Sequence, residues 1–196
     1  VTVGADYVVL FMADVSGQGE SSACVTVLLK NLTARMRSEY NRKQRQTVLN
    51  PDEFLAKANA ELLGTQLGKH ATVFFAVVDM QSNTLRYSVA GQLPLPLLVC
   101  DQVARYLDGS GPPIGLFEDT DYQVKEVSLP DQFRIMMFSD GILEALPQES
   151  LVQKEQFLLE QAAGLSTNLD EALTQLGVDV NTAYPDDIAL LVLDKE

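Results

Sequence analysis

The chain has 196 residues, of which 46% are hydrophobic and 21% charged, and its formal net charge is −13. This length predicts one domain with a sizeable core, and no apolar run is long enough to span a membrane. Such an acidic surface repels phosphates and anionic lipids, which disfavours nucleic acid and membranes as partners. Two cysteines and one histidine argue against a disulfide framework, a histidine-rich zinc site and a Ser-His-Asp triad, and favour a reducing, cytoplasmic location.

The first half of the chain predicts a strand and two helices. The apolar run at residues 7–13 indicates a buried strand, and a glycine-containing turn starts at Asp14. Apolar residues at helical spacing predict a long helix that starts at Ser21 or Ser22 and reaches about Arg45. A second helix is predicted at Pro51, because a proline suits the first helical position and acidic residues follow it in the first turn.

The second half predicts mainly strands, followed by two helices and a last strand. The strands are predicted at residues 71–79, 85–89, 95–100, 103–107, 122–129 and 133–138. Helical periodicity follows at residues 149–163 and 169–176, and an apolar strand ends the chain at 188–193. This order predicts an α+β fold in which antiparallel sheets carry helices on their outer faces. The first and last strands suggest one sheet core that joins both ends of the chain.

Aspartates stand where several predicted strands meet turn residues. Asp14 follows the first strand, Asp140 follows the strand at 133–138, and Asp186 and Asp187 precede the last strand. If these strands are neighbours, the carboxylates converge, and they then repel one another unless cations hold them. Oxygen ligands of this kind suit Mg²⁺ or Mn²⁺. Taken singly, each aspartate is more simply an ordinary turn residue, so the spacing alone gives only a candidate metal site.

Five short motifs occur along the chain in the order found in one known family. They are Ala13-Asp14-Val15-Ser16-Gly17-Gln18-Gly19, Ala90-Gly91-Gln92-Leu93-Pro94, Gly111-Pro112-Pro113-Ile114-Gly115, Phe138-Ser139-Asp140-Gly141-Ile142-Leu143-Glu144-Ala145 and Pro185-Asp186-Asp187-Ile188-Ala189-Leu190. Together they resemble the PPM-type, protein phosphatase 2C-like bacterial serine phosphatases of the SpoIIE/RsbU group, over nearly the whole chain. The resemblance implies an antiparallel β-sandwich flanked by α-helices on both faces, in α-β-β-α layers.

The resemblance also implies a site with two Mn²⁺ or Mg²⁺ ions. Asp14 would bind both ions, the backbone carbonyl of Val15 would add a ligand, and Asp140 and Asp186 would complete one ion's shell. Asp187 would orient its neighbour from outside the shell. A water held between the ions would then attack the phosphorus of phosphoserine or phosphothreonine.

Two departures from the family pattern bear on activity. Gln18 and Gln92 stand where the family usually has histidine, so a proton donor to the leaving group is missing while metal binding can survive. The family also has an earlier aspartate, well upstream of the motif that contains Asp14. Only Asp6 precedes that motif here, and it is either a ligand or an ordinary exposed residue at the start of a strand.

The resemblance also implies partners. The chain starts at Val1 without an initiator Met, which indicates that residues 1–196 are a single phosphatase domain at the C-terminal, output end of a longer signalling protein. A regulatory or receiver domain would precede it, as in RssB-like response regulators. Its substrate would be a phosphorylated protein of the anti-sigma-factor antagonist type.

The alternative is a catalytically weak or inactive phosphatase fold that acts as a binding module in sigma-factor control. A kinase is disfavoured, because the sequence has no glycine-rich phosphate loop.

Overall fold

The computed structural model describes residues 1–43, 46–179 and 182–196. The chain divides into two compact units, and each is discontinuous in sequence. The first unit contains Val1–Gln92 and Gly109–Leu129, and the second contains Leu93–Asp108 and Pro130–Glu196. Over the described ranges, no helix combines the length and the apolar character needed to cross a bilayer.

An antiparallel sheet organises the first unit. Its five strands are β1 (Thr2–Val3), β2 (Tyr7–Val15), β3 (Ala71–Asp79), β4 (Thr84–Ala90) and β7 (Lys125–Ser128). They lie in the order β1-β2-β3-β4-β7, so β3 is central. Residues 73–78 of β3 are buried without interruption. A strand that is covered on both faces has no solvent side to carry polar residues, which explains its continuous apolar sequence.

Helices cover the core of this unit. α1 spans Glu20–Lys43, a 3₁₀ helix spans Gln46–Leu49, and α2 spans Pro51–Gly64. The predicted apolar stripe on α1 is confirmed, because Val25, Leu29, Leu32 and Met36 are all buried. The predicted end of this helix at Arg45 lies outside the described residues. In α2, Phe54 stacks on Phe75 of β3 with ring centroids 3.8 Å apart, which anchors the helix to the sheet.

The second unit is also built on an antiparallel sheet. Its four strands, in the spatial order β6-β5-β8-β9, are β5 (Leu97–Cys100), β6 (Val103–Tyr106), β8 (Phe133–Phe138) and β9 (Leu190–Lys195). Its helices are α3 (Gly141–Ala145), α4 (Leu151–Ala162) and α5 (Leu169–Gln175). α4 begins with a capping box, in which Ser150 and Gln153 satisfy each other's backbone N–H groups. Leu158 of α4 packs into the same buried cluster as Phe138 of β8.

The structure corrects several expectations. β1, the 3₁₀ helix and α3 were not predicted, because elements of two to five residues show no hydrophobic period. The predicted strand at 122–129 is confined to β7, and Tyr122 is buried in the core of the first unit instead. The strands near the two chain ends lie in different sheets, so no single sheet joins them. β2 belongs to the sheet of the first unit, whereas β9 pairs with β8 in the sheet of the second.

Candidate metal centre

Asp14 lies in the first unit, near the end of β2. The sequence predicted a turn at this position, but the ladder with β3 continues past it, so that Asp14 lies opposite Thr72 and Val15 opposite Ala71. Asp14 is partly buried. The strand therefore presents this carboxylate from regular, hydrogen-bonded backbone, and the turn starts only at Ser16.

The turn after β2 is tied to the residues that precede β3. The Ser16 N–H donates to the carbonyl of His70 at 2.9 Å, and the Ser16 hydroxyl accepts from the His70 N–H at 3.1 Å. The Lys69 ammonium donates to the Ser16 carbonyl at 3.1 Å. Gly17 and Gly19 adopt positive φ angles of 71° and 95°, a region that glycine enters without steric cost. The backbone of this turn therefore adopts a conformation that favours glycine at both positions.

Asp140 lies in the second unit, between β8 and α3. Its Oδ1 atom is buried and has no hydrogen-bond partner among the described residues. Burial raises the pKa of this carboxyl, and the negative charge of Asp186 raises it further. A buried carboxylate oxygen without a donor is costly. A divalent cation would supply both the missing partner and the compensating charge, so the residues present fit a hard metal ion.

The loop that carries Asp186 and Asp187 packs directly against the end of β8. The Ser139 hydroxyl donates to the Asp187 carbonyl at 3.0 Å and accepts from the Ala189 N–H at 2.8 Å. The Asp187 N–H donates to Asp186 Oδ1 at 2.8 Å. A Cβ atom on Gly141 would lie 2.4 Å from the Asp187 carbonyl oxygen, so the loop can approach this closely only because the residue is glycine. The second unit thus brings two of the predicted ligand carboxylates into electrostatic contact.

Ser139 is a positioning residue whose role the sequence prediction missed. Its hydroxyl connects the end of β8 to the segment before β9, through partners that are 48 and 50 residues away from Ser139 in the chain. Its backbone N–H also donates to the Ala189 carbonyl at 2.9 Å. The available signal was a small polar residue between a buried apolar strand and an Asp-Gly pair, but pairing over this distance does not follow from sequence.

The predicted ligands divide between the two units. Asp14 and Val15 belong to the first unit, and Asp140 and Asp186 belong to the second. Within neither unit do the described residues gather three or more His, Cys, Asp or Glu side chains as a metal-binding group. The convergence of all three carboxylates therefore stays a prediction.

Asp6 lies in the turn between β1 and β2, at the far end of β2 from Asp14. Its carbonyl accepts from the Met80 N–H at 2.8 Å, and its side chain accepts from Gln81 at 2.8 Å. Asp14 is eight residues further along an extended strand, and a rise of about 3.3 Å per residue separates the two by roughly 25 Å. Asp6 therefore cannot bind the same ion as Asp14, because the length of β2 separates them.

The two glutamines that replace family histidines have different surroundings. Gln18 is exposed in the turn after β2, whereas Gln92 is 3% exposed. The Thr72 hydroxyl donates to Gln92 Oε1 at 3.5 Å, and Thr72 is the cross-strand partner of Asp14. Gln92 is thus part of the buried surroundings of Asp14, and Gln18 is open to solvent.

Solved structures define the class of protein. The RsbU and RsbW domains of Rv1364c from Mycobacterium tuberculosis match with a TM-score of 0.75 and 27% identity, over 95% of this chain and 51% of that one. The PP2C phosphatase domain of SpoIIE from Bacillus subtilis matches with a TM-score of 0.73 and 19% identity, over 98% of this chain and 56% of that one. The predicted fold class is confirmed: antiparallel sheets and helices form a PP2C-like phosphatase fold.

The chain belongs to the Stage II sporulation protein E (SpoIIE) family, whose model matches residues 4–196. A relative, the phosphoserine phosphatase RsbP of Bacillus subtilis (strain 168), is 24% identical over 140 residues, which cover 69% of this chain and 33% of RsbP. The predicted resemblance to the SpoIIE/RsbU group is confirmed, and the relatives in this group are PP2C-type serine/threonine phosphatases. The chain spans about a third of the length of RsbP and about half of each matched structure.

Proposed function

We propose that this chain hydrolyses phosphoserine or phosphothreonine on a regulatory protein and that it requires divalent cations to do so. The observation that carries the proposal is the buried Oδ1 of Asp140, which has no hydrogen-bond partner within residues 1–43, 46–179 and 182–196 and is close to the charge of Asp186. A buried carboxylate oxygen next to a second negative charge destabilises a folded protein, whereas a bound divalent cation would compensate both charges. PP2C-like phosphatases are metal dependent, which supports the same conclusion.

The proposed centre takes two Mn²⁺ or Mg²⁺ ions. Asp14, the carbonyl of Val15, Asp140 and Asp186 would be the protein ligands, and Asp187 would orient Asp186 through its backbone N–H. When bound, such cations activate water and offset charge on the phosphoryl group. The chain's own contribution is to hold oxygen atoms in place, through the β2 ladder in one unit and through backbone packing in the other.

The proposed biological setting is sigma-factor control in the cytoplasm. RsbP is named a phosphoserine phosphatase, and the RsbU domain of Rv1364c shares its chain with an RsbW domain. By analogy, the substrate would be a phosphorylated protein of the anti-sigma-factor antagonist type. The relatives are longer than this chain, which supports residues 1–196 as the output domain that follows a regulatory or receiver domain, as in RssB-like response regulators.

A second candidate function is a weak or inactive phosphatase fold that binds its partner without efficient turnover. Gln18 and Gln92 favour it, because an amide cannot act as a general acid in place of histidine. General acid–base catalysis typically contributes about a hundredfold or more to rate. If only this step is weakened, Gln18→His should raise kcat by about tenfold or more while Mn²⁺ affinity stays the same. An unchanged kcat would remove Gln18 as the cause of any low activity.

The test of the proposed function is phosphate release from a phosphoserine protein, measured with and without Mn²⁺. We expect Mn²⁺-dependent release that Asp140→Ala reduces by about a hundredfold or more. Asp170→Ala, at an exposed position on α5 in the same unit, is the matched control and should retain activity. Absent or metal-independent release by the wild-type chain, with partner binding intact, would favour the binding module.

A further inference from the structure

Lys69 holds a positive charge against the turn that follows the proposed ligands Asp14 and Val15. Its Nζ lies 3.1 Å from the carbonyl oxygen of Ser16, two residues beyond Asp14 in the chain. The same oxygen accepts the Ser22 hydroxyl at 3.2 Å. Lys69 is not one of the predicted metal ligands, and the proposed metal site gives its ammonium group no role.

The position of this ammonium is built into the local backbone. A Cβ atom on Gly17 would lie 2.9 Å from Lys69 Nζ, so the glycine leaves the space that the ammonium fills. The paired hydrogen bonds between Ser16 and His70 fix the two segments against each other. On the other side, a Cβ atom on Gly115 would lie 2.6 Å from the carbonyl oxygen of Lys69, so close packing also fixes the backbone there.

The ammonium retains capacity for a ligand. A lysine side chain has three N–H donors, and the structure gives Lys69 one acceptor among the described residues, the Ser16 carbonyl. Lys69 is only partly buried, so solvent and solutes reach it. Two N–H groups remain beside a turn that hydrogen bonds already hold in place, and such preorganisation favours binding.

The charges of the chain and of Lys69 indicate that the ligand would be a phosphate group. The chain carries a net charge of −13, which opposes the approach of a phosphorylated substrate. A phosphate group carries two negative charges or nearly so, and lysine binds it through charge-assisted hydrogen bonds. We propose that Lys69 binds the phosphoryl group of the substrate and of the product phosphate. This inference rests on the proposed function, because it places the phosphoryl group next to the turn that follows Asp14.

The experiment compares Lys69→Met, which removes the charge at similar length, with Lys69→Arg, which keeps it. Lys30→Met, at an exposed position on α1 of the same unit, makes the same change in net charge and serves as the control. Two quantities are measured for each variant: the Mn²⁺ dissociation constant by calorimetry, and the inhibition constant of inorganic phosphate at saturating Mn²⁺ during hydrolysis of a phosphoserine protein.

We expect Lys69→Met to raise the phosphate inhibition constant and to lower kcat/KM, each by about tenfold, since a hydrogen bond to a charged group is lost. The Mn²⁺ dissociation constant should change less than about threefold, Lys69→Arg should restore most of the phosphate affinity, and Lys30→Met should behave as wild type.

Weaker Mn²⁺ binding with an unchanged phosphate inhibition constant would make Lys69 a tether of the turn and overturn the proposal. Unchanged values for both would overturn it as well. A wild-type chain that binds no Mn²⁺ and releases no phosphate would overturn the proposed function together with this inference. If only the inference about Lys69 is wrong, the wild-type chain still binds Mn²⁺ and releases phosphate, so this outcome differs from failure of the proposed function.

Discussion

The two units present their acidic residues in opposite ways. In the first unit, Asp14 stands on a regular strand whose ladder with β3 continues past it. In the second unit, Asp140 and Asp186 stand on irregular backbone, and Oδ1 of Asp140 is buried without a hydrogen-bond partner in the part of the chain that the structure describes. The proposed cation would therefore compensate a larger desolvation cost in the second arrangement than in the first. We therefore expect metal-dependent changes in stability to arise mainly from the second unit.

The largest effect is expected from Gly141→Ala. The added Cβ atom would meet the Asp187 carbonyl oxygen at 2.4 Å, which must push the Asp186–Asp187 loop away from β8. We expect Mn²⁺ affinity to fall by about a hundredfold and stability to fall by about 1–3 kcal/mol. Calorimetry with Mn²⁺ and urea unfolding measure the two quantities.

Gly64→Ala in the first unit is the matched control for Gly141→Ala. Gly64 ends α2, and a Cβ atom there meets nothing within 4 Å. It should leave Mn²⁺ affinity and stability near the wild-type values. If Gly141→Ala behaves like Gly64→Ala, the packing of the loop on β8 does not control the metal ligands.

A smaller loss is expected from Ser139→Ala. This change removes the hydroxyl that joins Asp187 to Ala189 across the end of β8. One buried hydrogen-bonding group should cost about 1–2 kcal/mol of unfolding free energy, and Mn²⁺ affinity should fall by about tenfold. Ser166→Ala, which removes an exposed hydroxyl that donates to Glu171, is the control and should change neither. Equal effects of the two variants would contradict the positioning role.

The metal-free stability should depend on pH through Asp140. Its pKa in the folded chain is raised above the ordinary aspartate value of 3.8, first by burial and then by the charge of Asp186. A raised carboxyl pKa contributes stability that is fully present below 3.8 and is lost as pH rises through the folded-state pKa. In urea unfolding without metal, the stability of wild type relative to Asp140→Asn should therefore decrease across this window. A difference that stays constant with pH would show that Asp140 is not perturbed.

The smallest effect is expected from Asp6→Asn. Asp6 lies in the β1–β2 turn, the length of a strand away from Asp14, and its side chain accepts from Gln81. Phosphate release and Mn²⁺ affinity should stay within about twofold of wild type, because no ligand is removed. A large loss of Mn²⁺ affinity would mean that Asp6 belongs to the centre after all.

The sequence predicted the fold class, but it did not predict the local backbone around the candidate site residues. β3 was found because burial on both faces leaves a continuous apolar run. Asp14 was found by its motif but was placed in a turn, because the cross-strand partner Thr72 is 58 residues away in the chain and leaves no local signal. Ser139 and Gly141 were only parts of a motif, since their roles depend on a loop that returns from the end of the chain.

The most direct test of the central claim is a Mn²⁺ titration of the wild-type chain, Asp14→Ala and Asp140→Ala, followed by calorimetry. We expect two ions bound per wild-type chain and weakened binding in both variants, although the altered residues belong to different units. Wild-type affinity in Asp14→Ala, with loss confined to Asp140→Ala, would contradict a centre shared by these aspartates.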